Sequence, residues 1–187
     1  LLLIAVTALV SFQKKHITVY MIGDSTMSIK MPDKRPETGW GMPFATMFDN
    51  TVTVIDRAVN GRSTLSFRNE KRWQPIVDTL QEGDYVFIQF GHNDEKVDKP
   101  GVGVSPEEYK KNLIDYINET RNKKAIPVLL TPIVRRKFDS TGMLVETHGE
   151  YPDKVREVAK ELHVAFIDIH QSSKKLLEQL GKDASIK

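Results

Sequence analysis

The sequence predicts an α/β domain in which a parallel sheet is covered by helices on both faces. Two features indicate this fold class: five short apolar, β-branched runs recur along the chain, and segments of helical character lie between them. A strand–helix–strand unit forms a right-handed crossover, so its helix packs against one face of a parallel sheet. The 187 residues contain no internal repeat and no linker long enough to separate two domains, so we expect one domain.

The predicted strands are short apolar runs flanked by Gly, Pro, Asp or Asn. Short length and such flanks favour a strand over a buried helix. The five strands are predicted at residues 17–22, 52–56, 85–90, 127–131 and 165–169.

The clearest predicted helix begins after Ser105. This serine is a preferred N-cap, Pro106 suits the first helical position, and Glu108 stands three residues after the cap. Further helices are predicted at residues 73–80 and 151–162. A last helix, marked by leucines from Leu176 onward, is predicted to end at Gly181.

Composition excludes several classes of protein and site. The 27 Lys and Arg against 25 Asp and Glu leave a net charge of +2, and the charges are scattered. We therefore expect neither nucleic acid nor a membrane as partner. The absence of cysteine excludes disulfides, thiolate metal sites and thiol nucleophiles.

The start of the chain is predicted to be a targeting segment. Residues 1–10 are apolar except for Thr7, and Lys14 and Lys15 follow the run. A bilayer span needs about 20 residues, so the run is too short to be one. It resembles the apolar part of a secretory signal peptide. We expect residues 1–15 to be part of a signal peptide, residues 16–187 to form the domain, and the protein to be secreted or periplasmic. A buried N-terminal strand or helix is the alternative.

The first candidate motif is Gly23-Asp24-Ser25-Thr26, directly after the first predicted strand. Ligand sites in parallel α/β sheets lie beyond the carboxyl ends of the strands. A serine in a tight turn there can expose its hydroxyl as a nucleophile, with backbone amides nearby to stabilise an anion. The alternative is a helix cap formed by Asp24 or Ser25.

Two further motifs follow the second and third predicted strands. Residues 58–64 contain Asn60-Gly61, a pair that favours a turn and that can also aim the Gly61 N–H at a ligand oxygen. Residues 91–94 are either a polar turn or a loop that directs the side-chain amide of Asn93 at a developing oxyanion.

Together, the three motifs resemble those of the SGNH, or GDSL-type, hydrolases in order, spacing and strand context. Residues 23–27, 58–64, 89–94 and 147–152 are most similar to the rhamnogalacturonan acetylesterases, and the similarity covers roughly residues 17–181. The resemblance implies a three-layer α/β/α sandwich with a five-stranded, flavodoxin-like parallel sheet.

The resemblance also implies hydrolysis of an acetyl ester through an acyl-enzyme. Ser25 would be the nucleophile, and the backbone N–H groups of Ser25 and Gly61 with the side chain of Asn93 would form the oxyanion hole. Neither a metal nor a cofactor is needed, because the oxyanion hole polarises the carbonyl. The expected substrate is an acetylated pectic polysaccharide or oligosaccharide such as rhamnogalacturonan. The oligomeric state does not follow from the sequence.

One part of the family pattern is missing from the sequence. The family completes its triad with an Asp-x-x-His motif near the C-terminus, but none of the five histidines has an aspartate three residues before it. A serine without an adjacent base is a poor nucleophile. We therefore expect this motif, with the C-terminal part of the domain, to lie beyond Lys187. A catalytically inactive carbohydrate-binding relative and an SGNH esterase or lipase for another acyl ester are the alternatives.

Two histidines are candidate substitutes for the missing base. His148 precedes a predicted helix, and we hypothesise that it lines the substrate groove. Asp168 and His170 are predicted on one face of the last strand, where a simple polar strand end is the alternative. The nearby side chains that can stack on a sugar or pair with a uronate carboxylate are Trp40, Arg62 and Trp73, with core packing favoured for Trp73.

Overall fold

The computed structural model describes residues 16–185. The expected signal segment, residues 1–15, lies outside the described residues, as do the last two residues of the chain. The described part contains one sheet of five parallel strands in the order β2-β1-β3-β4-β5. This confirms the predicted flavodoxin-like sheet. The strands are β1 (Ile17–Gly23), β2 (Val52–Asp56), β3 (Tyr85–Gln89), β4 (Ile126–Leu130) and β5 (Ala165–Ile167).

The segments between the strands carry the helices. A 3-10 turn at Pro32–Lys34 lies between β1 and α1. The α-helices of the described part are α1 (Gly41–Ala45), α2 (Thr64–Asn69), α3 (Gln74–Thr79), α4 (Pro106–Asn122), α5 (Tyr151–Glu161) and α6 (Ile169–Ala184). Ser105 caps α4 as predicted, because its hydroxyl accepts a hydrogen bond from the Glu108 N–H at 3.2 Å.

Two cores form because successive residues of a strand point to opposite faces of the sheet. On one face, Ile22 of β1 packs in the larger core with Phe67 of α2 and Tyr116 of α4, all fully buried. On the other face, the buried Met21 packs in a smaller core with Phe44 of α1. Helices therefore cover both faces, which confirms the three-layer arrangement.

Helix α6 lies on the same face of the sheet as α1. A mainly apolar groove of about 330 Å³ separates α6 from Trp40 and the end of β4; its apolar lining residues are Trp40, Leu130, Ile133, Ile169 and Leu176. Gly181, predicted to end this helix, has φ of 70° and interrupts the helical geometry before a final turn to Ala184. Glycine is the residue that adopts this left-handed conformation without steric cost.

The end of the fifth strand differs from the prediction. Strand β5 stops at Ile167, and Asp168 is the N-cap of α6, with its side chain accepting the Gln171 N–H at 3.0 Å. The carboxylate thereby satisfies an N–H group that would otherwise have no partner in the first turn, which favours starting the helix there. The predicted placement of Asp168 and His170 on one face of a strand is therefore wrong, because His170 lies inside the helix.

Candidate active site

The three sequence motifs meet at one edge of the sheet. They follow β1, β2 and β3, and β1 lies between the other two strands. The parallel pairing of β1 and β2 continues past the strands, since the Val59 N–H donates to the Gly23 carbonyl at 3.0 Å. Further along, the Ser28 hydroxyl donates to Asn60 Oδ1 at 2.6 Å. The first and second motifs are therefore held side by side.

The turn that carries Ser25 is built around Asp24. The buried Asp24 Oδ1 accepts the Thr26 N–H at 2.9 Å and the Thr26 hydroxyl at 2.8 Å. Its Oδ2 lies 3.6 Å from Nδ1 of His92. Burial raises the pKa of Asp24, but hydrogen bonds and charge from His92 and Thr26 outweigh burial, and the net shift is downward. Asp24 thus acts as the capping residue of the turn, and Ser25 next to it is half-buried.

Gly61 lies in the turn that precedes α2. Its φ of 79° falls in the left-handed region, which confirms the turn predicted for Asn60-Gly61. The helix begins immediately afterwards, with Ser63 as N-cap in a reciprocal capping box with Ser66. Arg62, a candidate for sugar contact, is held by its Nε against the two carboxylate oxygens of Glu70 at 3.0 and 3.1 Å. Its role as a substrate contact stays a prediction.

Asn93 connects the third motif to the second. The residue is 4% exposed, and its Nδ2 donates to the Arg62 carbonyl at 3.0 Å, while its Oδ1 accepts Lys96 Nζ at 2.6 Å. A side-chain amide has two N–H donors, and the bond to Arg62 uses one of them. Among residues 16–185 the second N–H has no hydrogen-bond acceptor, so the arrangement is compatible with the predicted role of Asn93 in an oxyanion hole.

Asp94 is the last residue of the third motif and holds this loop against the start of α2. It is fully buried; its Oδ1 accepts the N–H of Thr64 at 2.9 Å and the hydroxyl of Thr64 at 2.5 Å, and its Oδ2 accepts the Gly91 N–H at 3.0 Å. Burial raises the pKa of Asp94 to about 7, against the effect of the hydrogen bonds from Thr64, which favour the carboxylate. Asp94 therefore ties the start of α2 to the loop after β3.

A cluster of buried and partly buried charged and aromatic side chains lies beside the third motif. His148 Nδ1 contacts Glu95 Oε2 at 2.8 Å, and Glu95 also pairs with Arg135 through a short contact. Hydrogen bonds and charge from these two partners lower the pKa of Glu95, although burial alone would raise it. The ring of His148 packs edge-on against His92 at 4.5 Å and against His170 at 5.9 Å between centroids.

This cluster corrects the hypothesis about His148. Its side chain is 0% exposed, and both ring nitrogens have partners: Glu95 contacts Nδ1, and the Ile133 carbonyl lies 2.9 Å from Nε2. His148 therefore does not line a groove that substrate can enter. Sequence reasoning missed Glu95 and Arg135, since no short-range spacing connects them to a histidine so far along the chain.

The two tryptophans have different surroundings. Trp73 is 3% exposed and packs edge-on against Tyr116 in the larger core, as favoured from the sequence. Trp40 is half-buried, and its Nε1 donates to Gln89 Oε1 at 2.7 Å at the end of β3. Trp40 thus lies beside the strand end that carries the third motif, while a sugar contact stays a prediction.

Residues 16–185 contain neither a metal-binding cluster nor a membrane-spanning helix. No group of three or more His, Asp or Glu side chains in this range is arranged to hold a metal ion. None of the helices in the same range combines the length and apolar character needed to cross a membrane.

Comparison with known proteins gives consistent matches. Residues 21–184 match the GDSL-like lipase/acylhydrolase family. Rhamnogalacturonan acetylesterase RhgT of Bacillus subtilis is 41% identical over 173 residues, which are 92% of this chain and 73% of that protein. Probable rhamnogalacturonan acetylesterase YesY of the same organism is 32% identical over 166 residues, covering 88% and 76% of the two chains.

Solved structures agree with the fold. YxiM of Bacillus subtilis superposes with a TM-score of 0.82 at 27% identity, covering 92% of this chain and 49% of that one. A catalytic mutant of the acetylxylan esterase Axe2 of Geobacillus stearothermophilus gives a TM-score of 0.68 at 19% identity, covering 89% and 82%. The expected enzyme class also agrees, because proteins named acetylesterases are carboxylic ester hydrolases. The chain belongs to the GDSL-like lipase/acylhydrolase family.

Proposed function

We propose that the protein is a serine esterase that removes acetyl groups from a pectic polysaccharide such as rhamnogalacturonan. The observation that carries the proposal is the meeting of three motifs at neighbouring strand ends, with hydrogen bonds from Ser28 to Asn60 and from Asn93 to Arg62 joining them. The 41% identity to RhgT, a protein named a rhamnogalacturonan acetylesterase, supports the choice of substrate.

In the proposed reaction, Ser25 Oγ attacks the carbonyl carbon of the acetyl ester while a base takes the hydroxyl proton. The N–H groups of Ser25 and Gly61 and the side-chain amide of Asn93 hold the oxyanion of the tetrahedral intermediate. The bond to the sugar oxygen then breaks, and the sugar alcohol leaves with the proton. Water attacks the acetyl-enzyme in the same way and releases acetate, which restores Ser25.

The base is the part of the proposal that the 187 residues do not supply. In these residues no histidine follows an aspartate at the Asp-x-x-His spacing. We propose that an Asp-x-x-His motif encoded beyond Lys187 completes the triad. Reading the coding DNA past that codon tests this directly: the motif within the next few dozen codons supports the esterase, and a stop codon favours the carbohydrate-binding alternative.

The activity itself is tested by acetate release from acetylated rhamnogalacturonan with the full-length protein. Ser25→Ala is expected to abolish release and leave the melting temperature nearly unchanged, because a half-buried hydroxyl adds little to packing. The matched control is Ser140→Ala, an exposed serine in the loop after β4. If Ser25→Ala still turns over substrate, the assignment of the nucleophile is wrong.

The substrate and the location need their own measurements. Rates on acetylated rhamnogalacturonan, acetylated xylan and a simple aryl acetate separate a pectic substrate from another acyl ester. Secretion or periplasmic location is proposed from the apolar run of residues 1–10. Fractionating cells that express the full-length gene, with and without this segment, tests it.

A further inference from the structure

Lys30 is a buried lysine that takes no part in the reaction described above. It lies in the loop after the Ser25 turn, and its side chain is 2% exposed. Its Nζ donates to the backbone carbonyl of Ser25 through a short contact, to Asn60 Oδ1 at 3.0 Å and to Ser28 Oγ at 3.2 Å. Glu37 Oε1 forms an ion pair with it at 3.0 Å.

Burial of this ammonium group is costly unless all its hydrogen-bonding capacity is used. Removing a charged group from water costs several kcal/mol, and only good partners offset that cost. Lys30 has three N–H donors, and four oxygen atoms surround them. A neutral side chain of similar length would fill the same space without the cost of desolvation, so the ammonium has a use that packing alone does not explain.

The partners of Lys30 connect the two backbone donors of the proposed oxyanion hole. One partner is the carbonyl of Ser25, whose own N–H is the first donor. Another is the side chain of Asn60, which directly precedes Gly61. The N–H of Gly61 is the second donor. The ammonium therefore bridges the first and second motifs at the place where two N–H groups must point at one oxygen atom.

We propose that Lys30 is a positioning residue that sets the spacing and orientation of the Ser25 and Gly61 N–H groups in the oxyanion hole. This inference rests on the proposed esterase function. A displacement of about 1 Å in a catalytic group can lower a rate by about 100-fold. Because the oxyanion exists only in the transition state and intermediate, misplaced donors lower kcat and leave substrate binding nearly unchanged.

The first test is Lys30→Met, which keeps the length of the side chain and removes its charge and its donors. We expect kcat to fall about 10- to 100-fold while KM changes less than about 3-fold. Lys34→Met is the matched control, since Lys34 is an exposed lysine of the same loop. This control is expected to retain kcat.

The second test uses Asn60→Ala, which removes the contact between Lys30 and the Asn60 side chain. Asn60 is exposed, so the substitution does not leave a buried cavity. We expect kcat to fall in the same direction as in Lys30→Met. The loss in the double variant should be smaller than the product of the two single losses, because both substitutions remove the Lys30–Asn60 contact, while Asn60→Ala also removes the hydrogen bond from Ser28. If the two effects multiply, or if Lys30→Met keeps the wild-type kcat, the inference is overturned.

A third readout is independent of the carbohydrate substrate. The rate at which an aryl dialkyl phosphate phosphorylates Ser25 depends on the same oxyanion hole, so it should fall in Lys30→Met and stay unchanged in Lys34→Met. If wild-type Ser25 is labelled but no acetate is released, the proposed substrate is contradicted. The labelling rate of Lys30→Met still tests the role of Lys30 in that case. No labelling of wild-type Ser25 would overturn both. Normal labelling in Lys30→Met, with no label in Ser25→Ala, would overturn the role of Lys30 alone.

Discussion

Asp94→Asn is expected to destabilise the fold through one lost hydrogen bond. The two side-chain oxygens of Asp94 accept three hydrogen bonds in a fully buried position, two from Thr64 and one from the Gly91 N–H. Asparagine has the same shape, but its amide nitrogen replaces one acceptor oxygen. If the remaining oxygen keeps both bonds to Thr64, the Gly91 N–H is left buried without an acceptor. Such a donor costs about 1–3 kcal/mol.

Unfolding in urea at pH 5 measures this loss of free energy. For a chain of this size, a loss of about 2 kcal/mol lowers Tm by roughly 4–8 °C. The protein should remain folded, because domains have about 5–15 kcal/mol of stability. Asp98→Asn is the control, as Asp98 is exposed in the same loop. Equal stability of Asp94→Asn and wild type would refute the view that Asp94 holds the third motif in place.

The pH dependence tests the electrostatic part of the same reasoning. Burial raises the pKa of Asp94 from 3.8 to about 7, so the folded protein keeps a proton that the unfolded chain releases. Wild-type stability should therefore fall as pH rises from about 4 to about 7 and then level off. Asparagine lacks this contribution, so the advantage of wild type over Asp94→Asn should shrink across that range. An advantage that grows with pH would mean that the hydrogen bonds outweigh burial.

Three further substitutions probe the site and the core. Asn93→Ala should lower kcat about 100- to 1000-fold, with KM less affected; a selective rise in KM would make Asn93 a substrate-binding residue instead. Gly39→Ala should destabilise the turn after Ser25, because its Cβ would lie 2.0 Å from the Ser28 carbonyl oxygen; thermal unfolding that matches wild type would contradict this close approach. Phe67→Ala should cost about 3–5 kcal/mol in urea unfolding, since this ring is fully buried, and a loss below 1 kcal/mol would show that the core collapses into the space.

Much of the fold could be predicted because its signals are local. The Ser105 cap depends on residues within three positions of it, and each strand is a short run with clear flanks. The three motifs could be placed at one edge because parallel strands end on the same side of a sheet. Asp168 was misplaced for a local reason as well: a capping carboxylate competes with continued strand pairing, and the capped helix prevailed.

The supporting contacts of the site could not be predicted, because they join residues distant in sequence. Glu95 and His148 meet only after β4 and the loop before α5 have formed. The burial of Lys30 is equally hidden, since an isolated lysine in a polar loop is normally exposed. Its position depends on Asn60, which lies in the loop after the next strand, β2. Hydrogen bonds of this kind follow from the tertiary structure and leave no periodic trace in the sequence.

The strand order has a consequence for how such a protein can vary. All three motifs lie on β2, β1 and β3, whereas β4 and β5 make up the other end of the sheet. The loop that follows β4 runs from residue 131 to residue 150. Its contacts with the third motif include Arg135, which donates to the His92 carbonyl, and His148, which packs against the His92 ring. We therefore expect insertions in the remainder of that loop to reshape the nearby surface without moving the three motifs. The motifs and most of this loop belong to separate parts of one sheet, so changes in the loop should disturb the motifs little.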